Sequence, residues 1–148
     1  GGLGAEAVMN EYWKTWELDG IGQFKRGYLR YLDPIPFEVR RVFWITEWSR
    51  GQPRGGHAHR RCHQLFIPMD GWFDFQLSSP LGQTETISIS APTAVLWVKP
   101  MVWLEMAPGE NALADNRLLC LCSEPYEEAE YLRDRPEWER LAQELRNA

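Results

Sequence analysis

The sequence predicts an all-β fold, a small antiparallel barrel or jelly roll that ends in one short helix. Short stretches that are apolar or that alternate between apolar and polar residues recur at close spacing. Turns rich in glycine and proline separate these stretches. Only the last segment of the chain changes to a helical period.

The predicted strands are rich in β-branched and aromatic residues or alternate strictly in polarity. They cover residues 11–18, 28–32, 38–48, 57–68, 72–77, 84–90, 94–98 and 118–122. The alternation is clearest in residues 72–77, where Phe73, Phe75 and Leu77 share one face and indicate a half-buried strand. We expect a tight turn at Met69-Asp70-Gly71, directly before this strand.

The C-terminal segment predicts an amphipathic helix. Asp134 can cap its N-terminus, with Pro136 and Glu137 in the first turn. The apolar residues then recur at the spacing of one helix face: Trp138, Leu141, Ala142 and Leu145.

The length of 148 residues predicts one domain. We expect residues 1–8 to be an artificial extension or a disordered N-terminus, and residues 9–148 to form the domain. The net charge of −5 argues against nucleic-acid binding, and no apolar run is long enough to cross a membrane. Three cysteines fit free thiols in a reducing cytoplasm, and Cys120 and Cys122 are expected to share a buried face of one strand.

All three histidines lie in one stretch, Arg54-Gly55-Gly56-His57-Ala58-His59-Arg60-Arg61-Cys62-His63-Gln64. On a strand, His57 and His59 point the same way, roughly 7 Å apart along the chain. His63 shares their face if the strand is regular, and Gln64 then faces the other way unless a bulge intervenes. The two glycines allow the backbone to approach a ligand closely. Such imidazoles suit either metal binding or proton transfer.

The spacing of Gly51, His57, His59, Gln64 and Gly71 resembles the first motif of the cupin superfamily. Cupins place a carboxylate where Gln64 stands and take a further histidine from a later strand. Residues 99–106 contain no histidine.

Two imidazoles and a neutral amide are a poor ligand set for iron, manganese or zinc, although His63 or Glu105 can complete one. We therefore expect proton chemistry or ligand binding, with no metal and no cofactor.

A narrower resemblance rests on several segments in order. They are residues 37–45, 54–60, Gln64, Gly71, Pro100 with Trp103, and residues 126–133 with the pattern Tyr-x-x-x-x-Tyr-x-Arg. Together they resemble the nucleotide-sugar 3,4-ketoisomerases, the dTDP-4-oxo-6-deoxyglucose isomerases of deoxysugar biosynthesis, also called the WxcM-like C-terminal family. The resemblance covers about residues 12–140.

The resemblance implies a homodimer with the cupin (RmlC-like) jelly-roll fold, often with exchanged N-terminal strands. It implies a metal-independent isomerase that moves the carbonyl of a dTDP-linked 4-keto-6-deoxy sugar from C4 to C3 through an enediol. His57 and His59 match the paired histidines of the family and are expected to transfer protons.

Other residues are expected to bind the substrate. Arg54 can hold the enediolate or a phosphate, Gln64 a sugar hydroxyl, and Arg41 the pyrophosphate. Trp103 and Trp44 are candidates for stacking against the substrate, and Glu105 is the remaining polar candidate. Tyr126 and Tyr131 are expected to pack the tail of the chain.

The sequence also departs from the family. Phe43 and Trp44 stand where tyrosines are common, and Leu104 replaces a histidine often found after the tryptophan. These changes remove polar groups from the expected pocket, so two alternatives stay open. One is a non-catalytic cupin that binds a nucleotide sugar or serves as an accessory domain, and the other is a metal-dependent cupin oxygenase or isomerase.

Overall fold

The computed structural model describes residues 11–23, 25–110 and 115–148. The expectation for residues 1–8 lies outside these ranges. Within them the chain forms twelve β-strands and one α-helix. The strands are β1 (Trp13–Glu17), β2 (Asp19–Gln23), β3 (Gly27–Tyr31), β4 (Arg41–Trp48), β5 (Arg54–His59), β6 (Gln64–Asp70), β7 (Trp72–Ser78), β8 (Thr84–Ser90), β9 (Ala94–Val98), β10 (Trp103–Pro108), β11 (Asn116–Cys122) and β12 (Tyr131–Leu132), and α1 spans Arg135–Asn147.

Two five-stranded antiparallel sheets make up the body of the molecule. Sheet I has the order β1-β9-β6-β11-β4, and sheet II has the order β12-β5-β10-β7-β8. The apolar residues between the sheets form one core, in which Phe66 of sheet I and Phe75 of sheet II lie 4.9 Å apart between ring centroids. The crossovers between sheets are those of a jelly roll, as predicted.

Strand β7 follows its predicted alternation. Phe73, Phe75 and Leu77 are buried in the core. The turn before it is also as predicted, because Gly71 alone connects β6 to β7 with a φ of 82°. A Cβ atom at Gly71 would lie 2.2 Å from Oδ1 of Asn116, so packing as well as φ requires glycine there.

The prediction of a single strand over residues 57–68 is wrong. The chain turns at residues 60–63 and passes from β5 in sheet II to β6 in sheet I. The carboxylate of Glu130 stabilises this turn, because its Oε2 accepts hydrogen bonds from the backbone N–H groups of Arg61 and Cys62 at 2.9 and 3.0 Å. The parity of a single strand therefore does not relate His63 and Gln64 to His57.

Helix α1 begins as predicted. Asp134 accepts a hydrogen bond from the backbone N–H of Glu137 at 3.1 Å, which satisfies one of the free donors of the first turn. Its apolar face covers the outer side of sheet II, where Trp138 and Ala142 are buried. Leu145 lies beyond this contact and is 47% exposed.

The cysteines are free thiols. Cys120 and Cys122 share a buried face of β11, as predicted, with their sulfur atoms 3.8 Å apart. Hydrogen bonding with Cys122, followed by burial, raises the pKa of Cys62, and hydrogen bonding with Cys120 raises that of Cys122 to about 11. Both thiols are therefore protonated near neutral pH.

Strands β2 and β3 form a hairpin that pairs with neither sheet. Every described residue of the two strands is exposed, including Ile21 at 68% and Leu29 at 66%. No helix in the described part of the chain is long and apolar enough to cross a membrane.

Candidate active site

A pocket of about 640 Å³ lies where the two sheets and the C-terminal tail meet. Sheet I lines it from β4 and β6, and sheet II from β5 and β10. Tyr131 of β12, together with residues before and after that strand, closes the remaining side. The lining residues are Arg41, Phe43, Ile45, Pro53, Arg54, Gly55, His57, Gln64, Leu104, Met106, Tyr126, Tyr131 and Arg133.

The structure brings four of the predicted site residues to this pocket. They are Arg41, Arg54, His57 and Gln64. Gln64 reaches it although it was predicted on the opposite face of a continuous strand, because the turn at residues 60–63 sets its direction anew. The role of each residue toward a substrate stays a prediction.

The two histidines of β5 occupy different layers of the site. His57 lines the pocket, whereas His59 is 4% exposed and lies behind it. Their rings meet edge to face with centroids 5.0 Å apart. Burial is the main cause that lowers the pKa of His57 to about 4, and the positive charge of Arg133 acts in the same direction. The imidazole facing the pocket is therefore neutral at pH 7 and can accept a proton.

His59 is paired with a buried carboxylate. Its Nδ1 lies 2.6 Å from Oε1 of Glu130, and Glu130 is 2% exposed. Burial opposes ionisation of this carboxyl group, but hydrogen bonds from His59 and from the backbone of Arg61 and Cys62 hold its pKa below the usual value.

Three arginines give the pocket a positive lining in a chain whose net charge is −5. Arg41 donates from Nη2 to the hydroxyl of Tyr131 at 3.2 Å. Arg133 packs over the Tyr131 ring at 4.3 Å and is fixed by two hydrogen bonds to Glu128, of 2.6 and 3.0 Å. Such a lining suits an anionic ligand such as a phosphate.

Three of the predicted substrate-binding residues do not reach the pocket. Because side chains alternate along a strand, Trp44 points outward between Phe43 and Ile45 and is 68% exposed. Trp103 and Glu105 likewise lie on the face of β10 opposite Leu104 and Met106.

Trp103 packs against Trp138 of α1 at 5.8 Å, and Glu105 is exposed. The placement of Trp44, Trp103 and Glu105 in the substrate pocket is corrected accordingly.

His63 is also outside the pocket. Its Nδ1 accepts a hydrogen bond from Nε1 of Trp97 at 3.1 Å. Gly55 serves the scaffold as well, because a Cβ atom there would lie 2.7 Å from the carbonyl oxygen of Leu104. The close approach that Gly55 allows is therefore to the neighbouring strand β10.

The C-terminal tail contributes side chains to the site that the sequence did not predict there. Tyr126 and Tyr131 were expected to be packing residues, and Glu130 and Arg133 were not predicted as site residues. Tyr126, Tyr131 and Arg133 line the pocket, and Glu130 holds His59. Their signal was the Tyr-x-x-x-x-Tyr-x-Arg pattern, which marks a segment but does not show that it folds back onto β5. That contact comes from the pairing of β12 with β5, in which Tyr131 lies opposite His59.

One group in the described ranges has atoms close enough to bind a metal ion. The candidate atoms of His59, Cys62 and Glu130 lie within 4.8 Å of one another. Both carboxylate oxygens of Glu130 already accept hydrogen bonds, and the raised pKa of Cys62 keeps its sulfur protonated. These properties suit a hydrogen-bonded pair better than a ligand set.

A jelly roll whose pocket opens beside a histidine-bearing strand defines a domain of the cupin class. The profile of the family described as "FdtA: WxcM-like, C-terminal" matches residues 14–143. The chain belongs to this family, and the predicted cupin jelly roll is confirmed.

The named relatives are isomerases. The TDP-4-oxo-6-deoxy-alpha-D-glucose-3,4-oxoisomerase of Aneurinibacillus thermoaerophilus is 31% identical over 99 residues, which cover 67% of this chain and 68% of the relative. A 3,4-ketoisomerase structure from Helicobacter canadensis has a TM-score of 0.79 at 32% identity and covers 88% of this chain and 97% of its own.

A mutant of the 3,4-ketoisomerase QdtA from Thermoanaerobacterium thermosaccharolyticum, solved with TDP-4-keto-6-deoxyglucose, has a TM-score of 0.81 at 28% identity. It covers 92% of this chain and 97% of its own.

Proposed function

We propose that this protein is a sugar 3,4-ketoisomerase that moves the carbonyl of a dTDP-4-keto-6-deoxyhexose from C4 to C3 in deoxysugar biosynthesis. The observation that carries the proposal is a neutral His57 in a pocket lined by Arg41, Arg54 and Arg133. A base and an anion-binding surface are the two things that this chemistry requires of a protein. The named relatives support the choice of substrate.

The arginines divide between two tasks. Arg54 is exposed at the rim and unconstrained by a carboxylate contact in the described hydrogen bonds, so it can follow a flexible pyrophosphate. Arg41 and Arg133 are held by Tyr131 and Glu128 and offer fixed positive charge. A guanidinium group can donate two parallel hydrogen bonds to two oxygens of a phosphate, which suits the binding of a nucleoside diphosphate.

The isomerisation needs three proton movements. His57 takes the proton from C3, the electron pair forms the C3–C4 double bond, and negative charge collects on the oxygen at C4. The hydroxyl proton then passes from the oxygen at C3 to that at C4, and the proton held by His57 returns to C4. Atoms and charge balance without an external oxidant or reductant.

The hydroxyl of Tyr131 can stabilise the enediolate. Arg41 occupies one acceptor position of that oxygen, which leaves its O–H free to donate toward the pocket. A donor aimed at developing negative charge acts in the transition state. Phe43 on β4 has no hydroxyl, although tyrosines are common at this part of the strand in the family. Tyr131 of the C-terminal tail supplies a hydroxyl to the pocket in its place.

His59 takes part from behind His57. We propose that His59 contributes to proton transfer through His57, and that His57 is the histidine that contacts the substrate. Gln64 is buried at the pocket wall and offers an amide to a sugar hydroxyl. The proposed chemistry uses no metal and no cofactor.

The test is incubation with dTDP-4-keto-6-deoxyglucose in deuterated water, followed by NMR. Migration of the carbonyl to C3 supports the isomerase. Deuterium at C4 of the product or at C3 of recovered substrate shows that the base exchanges its proton with solvent. Binding of the substrate with neither migration nor exchange contradicts the isomerase.

A specific observation favours a second function. Phe43 and Leu104 leave apolar surface where family members often carry polar groups. A cupin that binds the nucleotide sugar without catalysis would have such a pocket, and the same experiment separates the two because binding then occurs without exchange.

We also propose that the protein is a homodimer. The exposed apolar side chains of the β2–β3 hairpin, among them Ile21, Tyr28 and Leu29, need a covering surface, and a second copy with exchanged N-terminal strands supplies one. Light scattering of the wild type and of an Ile21→Asp, Leu29→Asp variant tests this. A cytoplasmic location stays a prediction from the odd number of cysteines.

A further inference from the structure

The buried pair of His59 and Glu130 lies outside the substrate pocket, and the proton transfers described above give Glu130 no role. The two side chains are 4% and 2% exposed, and Nδ1 of His59 lies 2.6 Å from Oε1 of Glu130. Nε2 of His59 is buried and has no hydrogen-bond partner among the described residues. Because Nδ1 is already bonded to Glu130, Nε2 is the nitrogen at which this imidazole can accept a proton.

The contact shows which nitrogen carries the proton. An ionised carboxylate oxygen can only accept, so a 2.6 Å approach to Nδ1 requires an N–H at that position. The other oxygen of Glu130 accepts from two backbone N–H groups, of Arg61 and Cys62. Three donors converge on one carboxylate, and this favours its charged form.

The free nitrogen belongs to a ring packed against two groups of the pocket wall. The His59 ring centroid lies 5.0 Å from that of His57 and 4.3 Å from that of Tyr131. Nδ1 of His57 is also buried. Nε2 of His59 is thus the acceptor behind the layer that meets the substrate.

We propose that Glu130 is a positioning residue that holds His59 as the Nδ1–H tautomer and so keeps Nε2 as a proton acceptor behind His57. The role in turnover rests on the proposed isomerase function, whereas the tautomer itself does not. Glu130 acts through His59, since it does not line the pocket.

The variant Glu130→Gln makes a sharp test because its geometry forces a choice. Two backbone N–H donors face one end of the side chain, so the glutamine carbonyl is expected to turn toward Arg61 and Cys62. Its NH₂ group then faces Nδ1 of His59 and can only donate. His59 must change to the Nε2–H tautomer, in which Nδ1 is the acceptor.

The measurement is the ¹⁵N spectrum of the imidazole nitrogens. The chain has three histidines, so spectra of the His57→Asn and His63→Asn variants assign the remaining set to His59. We expect a protonated Nδ1 and an unprotonated Nε2 in the wild-type protein, and the reverse in Glu130→Gln. Glu127→Gln is the matched control, because Glu127 lies in the same tail and its side chain, among the described residues, hydrogen-bonds only the exposed Arg61 side chain.

Turnover gives the second readout. Because Glu130 does not touch the pocket, Glu130→Gln should lower kcat by at least tenfold with KM changed less than threefold, and Glu127→Gln should change neither. A wild-type His59 with an unprotonated Nδ1 overturns the proposal, whether or not Glu130→Gln folds. An inverted tautomer with unchanged kcat also overturns it.

If the wild-type protein has no isomerase activity, the proposed function fails but the spectra still decide the tautomer. The two failures are therefore distinguishable.

Discussion

The Arg41 guanidinium donates to the hydroxyl of Tyr131 over 3.2 Å, which joins strand β4 of sheet I to the C-terminal tail across the pocket. Because Arg41 is the donor in this bond, the single O–H of Tyr131 can donate to another group. The tyrosine hydroxyl is thereby fixed beside His57, whose ring centroid lies 5.1 Å from that of Tyr131.

Tyr131→Phe should therefore lower kcat on the order of 10²-fold, the cost of removing one donor to a developing oxyanion. KM should change little, because the ring and its contact with Arg133 remain. Steady-state kinetics with dTDP-4-keto-6-deoxyglucose measures both constants. A higher KM with an unchanged kcat would show that the hydroxyl binds the ground state instead.

His57→Asn should abolish most of the turnover, on the order of 10²–10⁴-fold, because it removes the proposed base. In the wild-type protein kcat/KM should stay level from pH 7 down to about 5 and then fall with an apparent pKa of about 4, since the protonated imidazole cannot accept a proton. A pH profile of kcat/KM tests the burial of His57. An acid limb near pH 6.5 would contradict the desolvated environment.

The same burial of His57 predicts a pH dependence of stability. The folded-state pKa of about 4 lies below the unfolded value of 6.5, so the unfolded chain binds the proton first as the pH falls. The stability contributed by the neutral form is present above pH 6.5 and is lost as the pH falls toward 4. Its total is roughly 3 kcal/mol.

Urea unfolding at several pH values, compared between the wild type and His57→Asn, isolates this contribution. The wild-type free energy of unfolding should fall faster than that of the variant between pH 6.5 and 4. Parallel curves for the two proteins would show that His57 does not carry the effect.

The sequence predicted the scaffold better than the pocket. Polarity patterns and turn residues identified β7, β8, β9 and the helix. Each of these elements is determined by its own residues, whose apolar side chains mark the buried face. The β5–β6 break was missed because its cause is distant in sequence: the carboxylate of Glu130 satisfies the backbone of the turn. A local pattern cannot contain that information.

The same reason explains the errors in the site. His57, Arg54, Gln64 and Arg41 were identified by motif, but a motif does not state which face of a strand is inside. Trp44 and Glu105 lie one residue from pocket-lining positions, and the strand alternation turns them outward. Tyr131 became visible only when β12 paired with β5.

The outward position of Trp44 predicts a contrast between two neighbours. Trp44→Phe should leave kcat and KM within about twofold of the wild type, because an exposed surface substitution of this kind usually has a small effect. Phe43→Ala should raise KM, since Phe43 forms part of the pocket wall. Steady-state kinetics gives kcat and KM of both variants. A large effect of Trp44→Phe on either constant would show that Trp44 does contribute to the site.

The turn at Gly71 carries the chain from β6 in sheet I to β7 in sheet II. Two glycine variants separate the reasons why glycine is required there. Gly51→Ala introduces a side chain at a φ of 72° with nothing within 4 Å, so it should cost about 1 kcal/mol of strain. Gly71→Ala has a similar φ of 82° and in addition brings its Cβ to 2.2 Å from Oδ1 of Asn116.

The buried Asn116 side chain donates to the carbonyl of Trp48 at 2.8 Å, so it cannot move without breaking that bond. Gly71→Ala should therefore destabilise the protein by at least about 2 kcal/mol more than Gly51→Ala, the cost of strain plus a broken buried hydrogen bond. Equilibrium urea unfolding of the two variants measures the difference. Equal losses would mean that Asn116 repacks freely and that the glycine is required for its backbone conformation alone.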